Sequence, residues 1–194
     1  MPIEIRQVGP EALAAYQRIP IRFRVESVLR VEEIDGGVGG LRLREEKLDQ
    51  PYVKDYDTYE DQLPTRWPGR FDVSRWLFLM AFDGDRPVGG AVVAYRSPDV
   101  DILEGRTDLA VLWDIRVHPD CRRQGIGARL LRRAAEWARR RKCRQLKIET
   151  QSVNVAACRF YAAQGCRLRA IDRHGYARDP RIAHESMLLW YLDL

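Results

Sequence analysis

The chain has 194 residues, 45% of them hydrophobic and 31% charged, the profile of one soluble globular domain whose core is large enough to need no disulfide or metal staple. The longest strongly apolar run, residues 76–82, is far too short to span a bilayer, the N-terminus carries no apolar leader, and the four cysteines form no C-x-x-C pair, so the expectation is a cytoplasmic protein without a membrane span or a metal site. The net charge of +5 is divided unevenly: residues 121–147 hold eleven Lys/Arg against the single acid Glu136, whereas residues 26–61 hold eleven acids against five bases, which reads either as a solvated helix face in an arginine-rich protein or as an anion site on the basic segment with a cation site near the acidic one.

In chain order, residues 2–7 read as a short strand and residues 11–18 as one or two helical turns. Residues 21–34 begin with alternating Ile21, Phe23 and Val25 and read as a strand. A glycine-rich break over 35–40 follows, and 41–43 resumes the strand. Residues 44–72 are polar and carry Pro51, Pro64 and Pro68, which predicts a loop with one short helix. The apolar runs 75–82 and 88–95 flank Asp83-Gly84-Asp85-Arg86-Pro87, a hairpin signal with a turn of about five residues. Residues 109–117 form a third apolar run. Residues 125–141 have helical spacing, with Ile126, Leu130, Leu131, Ala134, Trp137 and Ala138 on one stripe. A strand over 145–150, a helix over 154–163 stopped by Gly165, and strands over 166–173 and 184–192 complete a mixed α/β pattern with a central strand–helix–strand crossover.

The chemistry concentrates where the third apolar run meets the basic helix, at Arg122-Arg123-Gln124-Gly125-Ile126-Gly127-Ala128. The first amides of a helix lack intrahelical partners and carry partial positive charge. Two glycines open the backbone to a phosphate, and two arginines add full charges, so the segment reads as a pyrophosphate cradle, with a tight strand-to-helix turn carrying helix-capping charges as the alternative. It lacks the Lys-Ser/Thr of the Walker loop and the third glycine of the dinucleotide fingerprint.

This stretch resembles the GNAT superfamily of acetyl-CoA-dependent N-acetyltransferases, whose Arg/Gln-x-x-Gly-x-Gly/Ala motif stands here as Arg122-x-x-Gly125-x-Gly127. A second motif follows as Asn154, Ala156-Ala157, Phe160-Tyr161 and Gly165. Within the superfamily, Trp113-Asp114-Ile115-Arg116-Val117, Glu149-Thr150-Gln151, the segment from Asn154 to Tyr161 and the end Leu189-Trp190-Tyr191-Leu192 are most similar to streptothricin acetyltransferases. Cys166 departs from the phenylalanine usual after the glycine, and residues 20–44 match poorly. The resemblance implies an α/β (α+β) fold with a mixed central sheet, a splayed strand–helix–strand crossover and flanking helices. It implies a single domain over 1–194, with 1–74 forming acceptor-side elements and 75–194 the acetyl-CoA-binding core.

What the resemblance implies for the site can be set against what acetyl transfer demands. Coenzyme A would lie along Ile115 and Val117, with its pyrophosphate on Arg122, Arg123, Gln124, Gly125, Ile126, Gly127 and Ala128, and Asn154 nearby. A backbone amide near Ile115 would polarise the thioester carbonyl. The acceptor amine must be neutral to attack, and with a lysine-like pKa of about 10.4 well under one part in a thousand is free base at neutral pH. Asp114 and Glu149 are therefore the candidate bases, each weighed evenly against a structural ion pair. Tyr161 fills the position of the family's general acid, with a core packing role as its alternative. Cys158 has no sequence-near base and is not expected to be a nucleophile.

The expected acceptor is a small cationic molecule carrying a primary amine, streptothricin-like or a related metabolite, attacked directly in a ternary complex. Acetylation of protein or peptide amines, a basic nucleic-acid-binding module and a non-catalytic acetyl-CoA binder are the alternatives. Nucleic acid is disfavoured because the basic helix has no interleaved aromatics and no recognition-helix motif. A monomer or homodimer is expected.

Overall fold

The computed structural model describes residues 2–194. In chain order the elements are β1 (Glu4–Val8), α1 (Leu13–Gln17), β2 (Phe23–Glu33), β3 (Leu41–Lys54), β4 (Leu77–Asp83), β5 (Arg86–Ala94), β6 (Leu109–Val117), α2 (Ile126–Arg140), β7 (Gln145–Gln151), α3 (Val155–Ala163), β8 (Arg167–Asp172) and β9 (Met187–Asp193). The fold is mixed α/β, with a mostly antiparallel central sheet flanked by helices. Contacts divide the chain into two compact units, Met1–Phe23 with Asp55–Ile148 and Leu192–Leu194, and Arg24–Lys54 with Glu149–Tyr191. Each unit takes residues from both the 1–74 and the 75–194 stretches.

In the first unit, β1, β4, β5 and β6 pair antiparallel in that order, with Ile5 opposite Ala81, Met80 opposite Gly90 and Ala91 opposite Ile115. β4 and β5 are apolar almost without alternation because both faces of the sheet are covered. One face takes the predicted stripe of α2, whose Ile126, Leu130, Leu131, Ala134, Trp137 and Ala138 are all buried. The other takes α1 and an aromatic cluster of Tyr16, Trp67, Trp76 and Phe78, with Phe71 and Trp113 packed against it. Successive strand residues point to opposite faces, and Gly89 and Gly90 show what each face needs. A Cβ on Gly89 would meet Ile126 of α2 at 3.2 Å, and one on Gly90 would stand 2.4 Å from the Tyr16 ring.

The strand–helix–strand crossover is splayed. β6 and β7 run parallel, paired from Leu109↔Gln145 to Leu112↔Ile148, where the register stops. β6 continues to Val117 with β5 as its partner, and an irregularity opposite Val92/Val93 skips Trp113.

In the second unit β2 and β3 form a two-stranded ribbon, and β8 pairs antiparallel with β9 from Arg167↔Tyr191 to Asp172↔Met187. Asn154 caps α3, its Oδ1 accepting from the Ala157 N–H at 3.1 Å. Gly165 closes the helix at φ +84°, the left-handed conformation glycine adopts without strain.

Three expectations are corrected. Residues 44–54 are strand, not loop: β3 runs fourteen residues through Pro51 to Lys54. Nearly every β3 side chain is exposed or half-exposed, so neither face imposes an apolar alternation, and proline is tolerated at a sheet edge. Residues 55–70 hold three short 3-10 segments rather than one helix. The β4–β5 turn is tighter than five residues, because Asp83 pairs with Arg86 and Gly84 takes φ +59°.

Candidate functional site

The turn into α2 has the features of an anion cradle. Gly125 is the N-cap, exposed, at φ +77°, with no atom within 4 Å of where a Cβ would stand. No side chain caps the helix and its first turn holds no acid, so the amides of Ile126, Gly127 and Ala128 face outward without an intrahelical acceptor. Gly127 and Ala128 are half-exposed, and Arg123 and Gln124 exposed. Arg122 is turned the other way. Its Nε donates to the Val117 carbonyl at 3.0 Å and its Nη2 to the Arg22 carbonyl at 2.8 Å. Partial burial lowers its pKa from the ordinary arginine range. Arg122 thus braces the loop between β6 and α2. Other members of the basic segment are likewise engaged: Arg129 donates to the Ile3 carbonyl, Lys147 pairs with Glu104, and Arg141 lies 3.7 Å over the Trp137 ring.

Asp114 sits in a buried network of the first unit. Its Oδ1 accepts from the Tyr16 hydroxyl at 2.5 Å and from Arg116 Nε at 3.0 Å, and its Oδ2 from Arg116 Nη2 at 2.8 Å. Arg116, with its side chain only 2% exposed, also donates to Asp57 at 3.1 Å and to the Ile19 carbonyl at 3.1 Å. Burial alone would lower the Arg116 pKa, but the Asp114, Tyr16 and Asp57 partners raise it on balance, so the guanidinium stays charged. Burial and the neighbouring Asp114 push the Tyr16 phenol well above its ordinary value, so it remains a donor. Burial likewise raises the Asp57 carboxyl against the pull of Arg116. Both oxygens of Asp114 are therefore occupied by protein donors. Much of the acidic 26–61 segment is neutralised in the same way, Glu32 by Arg42 and Arg44, Glu45 by Arg159 and Glu33 by Arg173.

The other candidates lie in the second unit. Glu149, near the end of β7, is partly buried and accepts a hydrogen bond from the Tyr176 hydroxyl. Burial raises its carboxyl pKa. The Tyr176 bond and Lys54 oppose the rise, and Glu185 adds to it. Tyr161 is buried on α3, its ring centroid 5.4 Å from that of Phe160. Asn154 spends its side-chain oxygen on the α3 cap. Burial pushes the Cys158 thiol up to about 12 and Cys166 to about 11, so neither is an available thiolate near neutral pH.

Sequence reasoning passed over Lys54 and Glu185. Their side chains are 6% and 2% exposed and pair with each other through Lys54 Nζ and Glu185 Oε1. They are 131 residues apart in the chain, and no local spacing marks such a pair. Tyr176, in the connection between β8 and β9, was equally silent. Among the described residues no group of three His, Cys, Asp or Glu could hold a metal ion, and no helix is long and apolar enough to cross a membrane.

Comparison with known proteins places this geometry. The acetyltransferase (GNAT) family matches residues 41–166. Streptothricin acetyltransferase A of Bacillus subtilis (strain 168) is 29% identical over 147 residues, 76% of each chain. The crystal structure of nourseothricin acetyltransferase superposes with a TM-score of 0.77 at 25% identity, covering 100% of this chain and 99% of that one. A Bacillus anthracis structure in complex with acetyl coenzyme A shares the fold at TM-score 0.77 and 23% identity, covering both chains in full. The family match extends across β3 to α3 and takes in both the glycine turn and the Asn154–Tyr161 helix, and the chain belongs to the acetyltransferase (GNAT) family of acetyl-CoA-dependent acyltransferases.

Proposed function

We propose that the chain transfers an acetyl group to a primary amine of a small cationic acceptor of the streptothricin kind, by direct attack in a ternary complex, and so confers resistance to such an antibiotic. The observation that carries the acceptor reading is the similarity to a streptothricin acetyltransferase over 76% of the chain. Four free thiols support the cytoplasm as its compartment.

The uncapped, acid-free start of α2 fits a pyrophosphate, and β6 beyond Leu112 fits an extended pantetheine. Acetyl-CoA supplies the acetyl group as an activated thioester. The amides of Ile126, Gly127 and Ala128 would hold its diphosphate at the helix N-terminus, helped by the exposed Arg123 and Gln124. The backbone of Ile115 and Val117 would align the pantetheine arm. Glu149 takes a proton from the acceptor ammonium, a task suited to a carboxyl raised by burial. Tyr161 gives a proton from its phenol to the departing sulfur, and the second proton that the acetylated nitrogen loses restores the phenol. Asp114 is assigned a positioning role, since its oxygens already serve Tyr16 and Arg116. Asn154 holds the α3 N-terminus that carries Tyr161.

The test is release of coenzyme A with purified protein over a panel of streptothricin, aminoglycosides, polyamines, free lysine and N-terminal peptides. Streptothricin is expected to give the highest kcat/KM. Preference for a peptide amine or an uncharged amine would overturn the acceptor assignment.

A further inference from the structure

Two side-chain oxygens in the described residues are buried and accept no hydrogen bond, Gln151 Oε1 and Glu185 Oε2. Both belong to the second unit, the one that carries Glu149. Gln151 is two residues beyond Glu149 on β7 and so shares its face of the strand. Glu185, at the end of the β8–β9 connection, acts on Glu149 through its charge. A buried acceptor left without a donor costs about 1–3 kcal/mol, more when charged, so each of the two calls for a donor. An alkylammonium has three N–H donors and no acceptor.

The charge count leads to the same ligand. Ionised Glu149 and Glu185 carry two negative charges, and Lys54 supplies one positive charge. With Glu149 ionised, as a base must be, the trio is one positive charge short of neutral, a deficit that either a proton on Glu149 or a bound cation removes. Further charged and titratable groups facing it include Tyr176 on Glu149, His184 with Nε2 at 3.8 Å from Glu185 Oε1, and Asp179, which is held by Arg181 and interacts with Lys54.

We propose that Glu149, Gln151 and Glu185 form the ammonium seat of the acceptor, one acceptor group for each N–H, and that Lys54 is a positioning residue which limits the seat to a single cation. This rests on the reading of Glu149 as the base and adds the residues that recognise the amine. The transfer is charge-neutral within the cluster: the R–NH3+ gives one proton to the Glu149 carboxylate, leaving R–NH2 with its lone pair free and Glu149 as the neutral acid. Burial favours that exchange, because it removes two charges from a low-dielectric site.

The experiment measures kcat/KM against pH, and acetyl-CoA affinity by calorimetry, for wild type, Glu185→Gln, a Lys54→Met/Glu185→Met double variant and Glu26→Gln, with melting curves checking the fold. The acceptor is the panel amine that turns over fastest. Glu185→Gln removes one negative charge, so KM for the amine should rise at least about tenfold. The acid limb of kcat/KM should move to lower pH by about one unit, the effect of one charge a few Å away, with acetyl-CoA affinity unchanged. In the double variant the pair's charges vanish together, so KM rises while the limb stays near its wild-type position. This variant replaces the buried pair by apolar side chains and keeps the test open if Glu185→Gln does not fold. Glu26→Gln, which removes an exposed carboxylate paired with Arg24, should change neither quantity. A folded Glu185→Gln or double variant with wild-type KM overturns the proposal, as does a limb that moves equally in Glu26→Gln. Glu149→Gln separates the two readings: wild-type turnover there removes Glu149 as base, whereas an inactive Glu149→Gln beside a normal Glu185→Gln removes the ammonium seat alone.

Discussion

Asp114→Asn distinguishes a structural from a catalytic Asp114. The substitution is nearly isosteric, so it changes charge and donor pattern without opening a cavity. In the native protein the carboxylate accepts from Tyr16 at 2.5 Å and from Arg116 at 3.0 and 2.8 Å, with its side chain about one-tenth exposed. An asparagine oxygen still serves Tyr16 and Arg116 Nε, but its NH2 then faces Arg116 Nη2, donor against donor. One charge-assisted hydrogen bond is lost, worth about 1.5–3 kcal/mol. Arg116 keeps Asp57 and the Ile19 carbonyl, which holds the loss near the upper end of that range and below the roughly 3–5 kcal/mol of a fully orphaned buried charge. At roughly 2–4 °C per kcal/mol for a chain of this size, Tm should fall by about 6–12 °C. Thermal melting by circular dichroism, paired with coenzyme A release at a temperature where the variant is folded, reads both quantities. Turnover is expected within about threefold of wild type, since the proposed mechanism gives the proton transfer to Glu149. A Tm within about 2 °C of wild type together with a hundredfold loss of kcat would refute this reasoning and make Asp114 the base.

Gly127→Val places a branched side chain in the first turn of α2, and acetyl-CoA affinity should fall at least about tenfold, about 1.4 kcal/mol. Calorimetry on the folded variant checks it, and unchanged affinity would remove the cradle assignment. Tyr161→Phe keeps the ring and deletes the phenol. If the phenol protonates the departing thiolate, kcat should drop on the order of a hundredfold with little change in acetyl-CoA affinity, and near-normal turnover reduces Tyr161 to packing. Asn154→Ala removes the bond to the Ala157 N–H and should cost about 1 kcal/mol, or roughly 2–4 °C in Tm. A larger effect on acetyl-CoA affinity than on Tm would instead give the side chain a direct part in binding.

The sequence alone settled whatever is coded by near neighbours. The stripe from Ile126 to Ala138, the glycines of the α2 turn, the Asn154 cap and the Gly165 stop all act within one or two helical turns, so their physics is contained in consecutive residues. The same holds for β4 to β6, whose apolar runs are long because both sheet faces are covered. β3 escaped because a ribbon wet on both faces has no alternation to display. Of the candidate residues, those of the proposed anion cradle were legible in sequence and the proposed base was ambiguous. Asp114 stands between Trp113 and Ile115 and Glu149 between Ile148 and Thr150, and neither setting separates a base from a structural acid. The pairing of Asp114 with Arg116, two residues on, was open to a sequence reading, but only tertiary structure brought Tyr16 to it from 98 residues away, and gave Glu149 burial, the Tyr176 hydroxyl and a neighbouring Lys54–Glu185 pair. A carboxylate's role depends on the charges and donors within a few Å of it in space, and in this chain most of those come from distant positions.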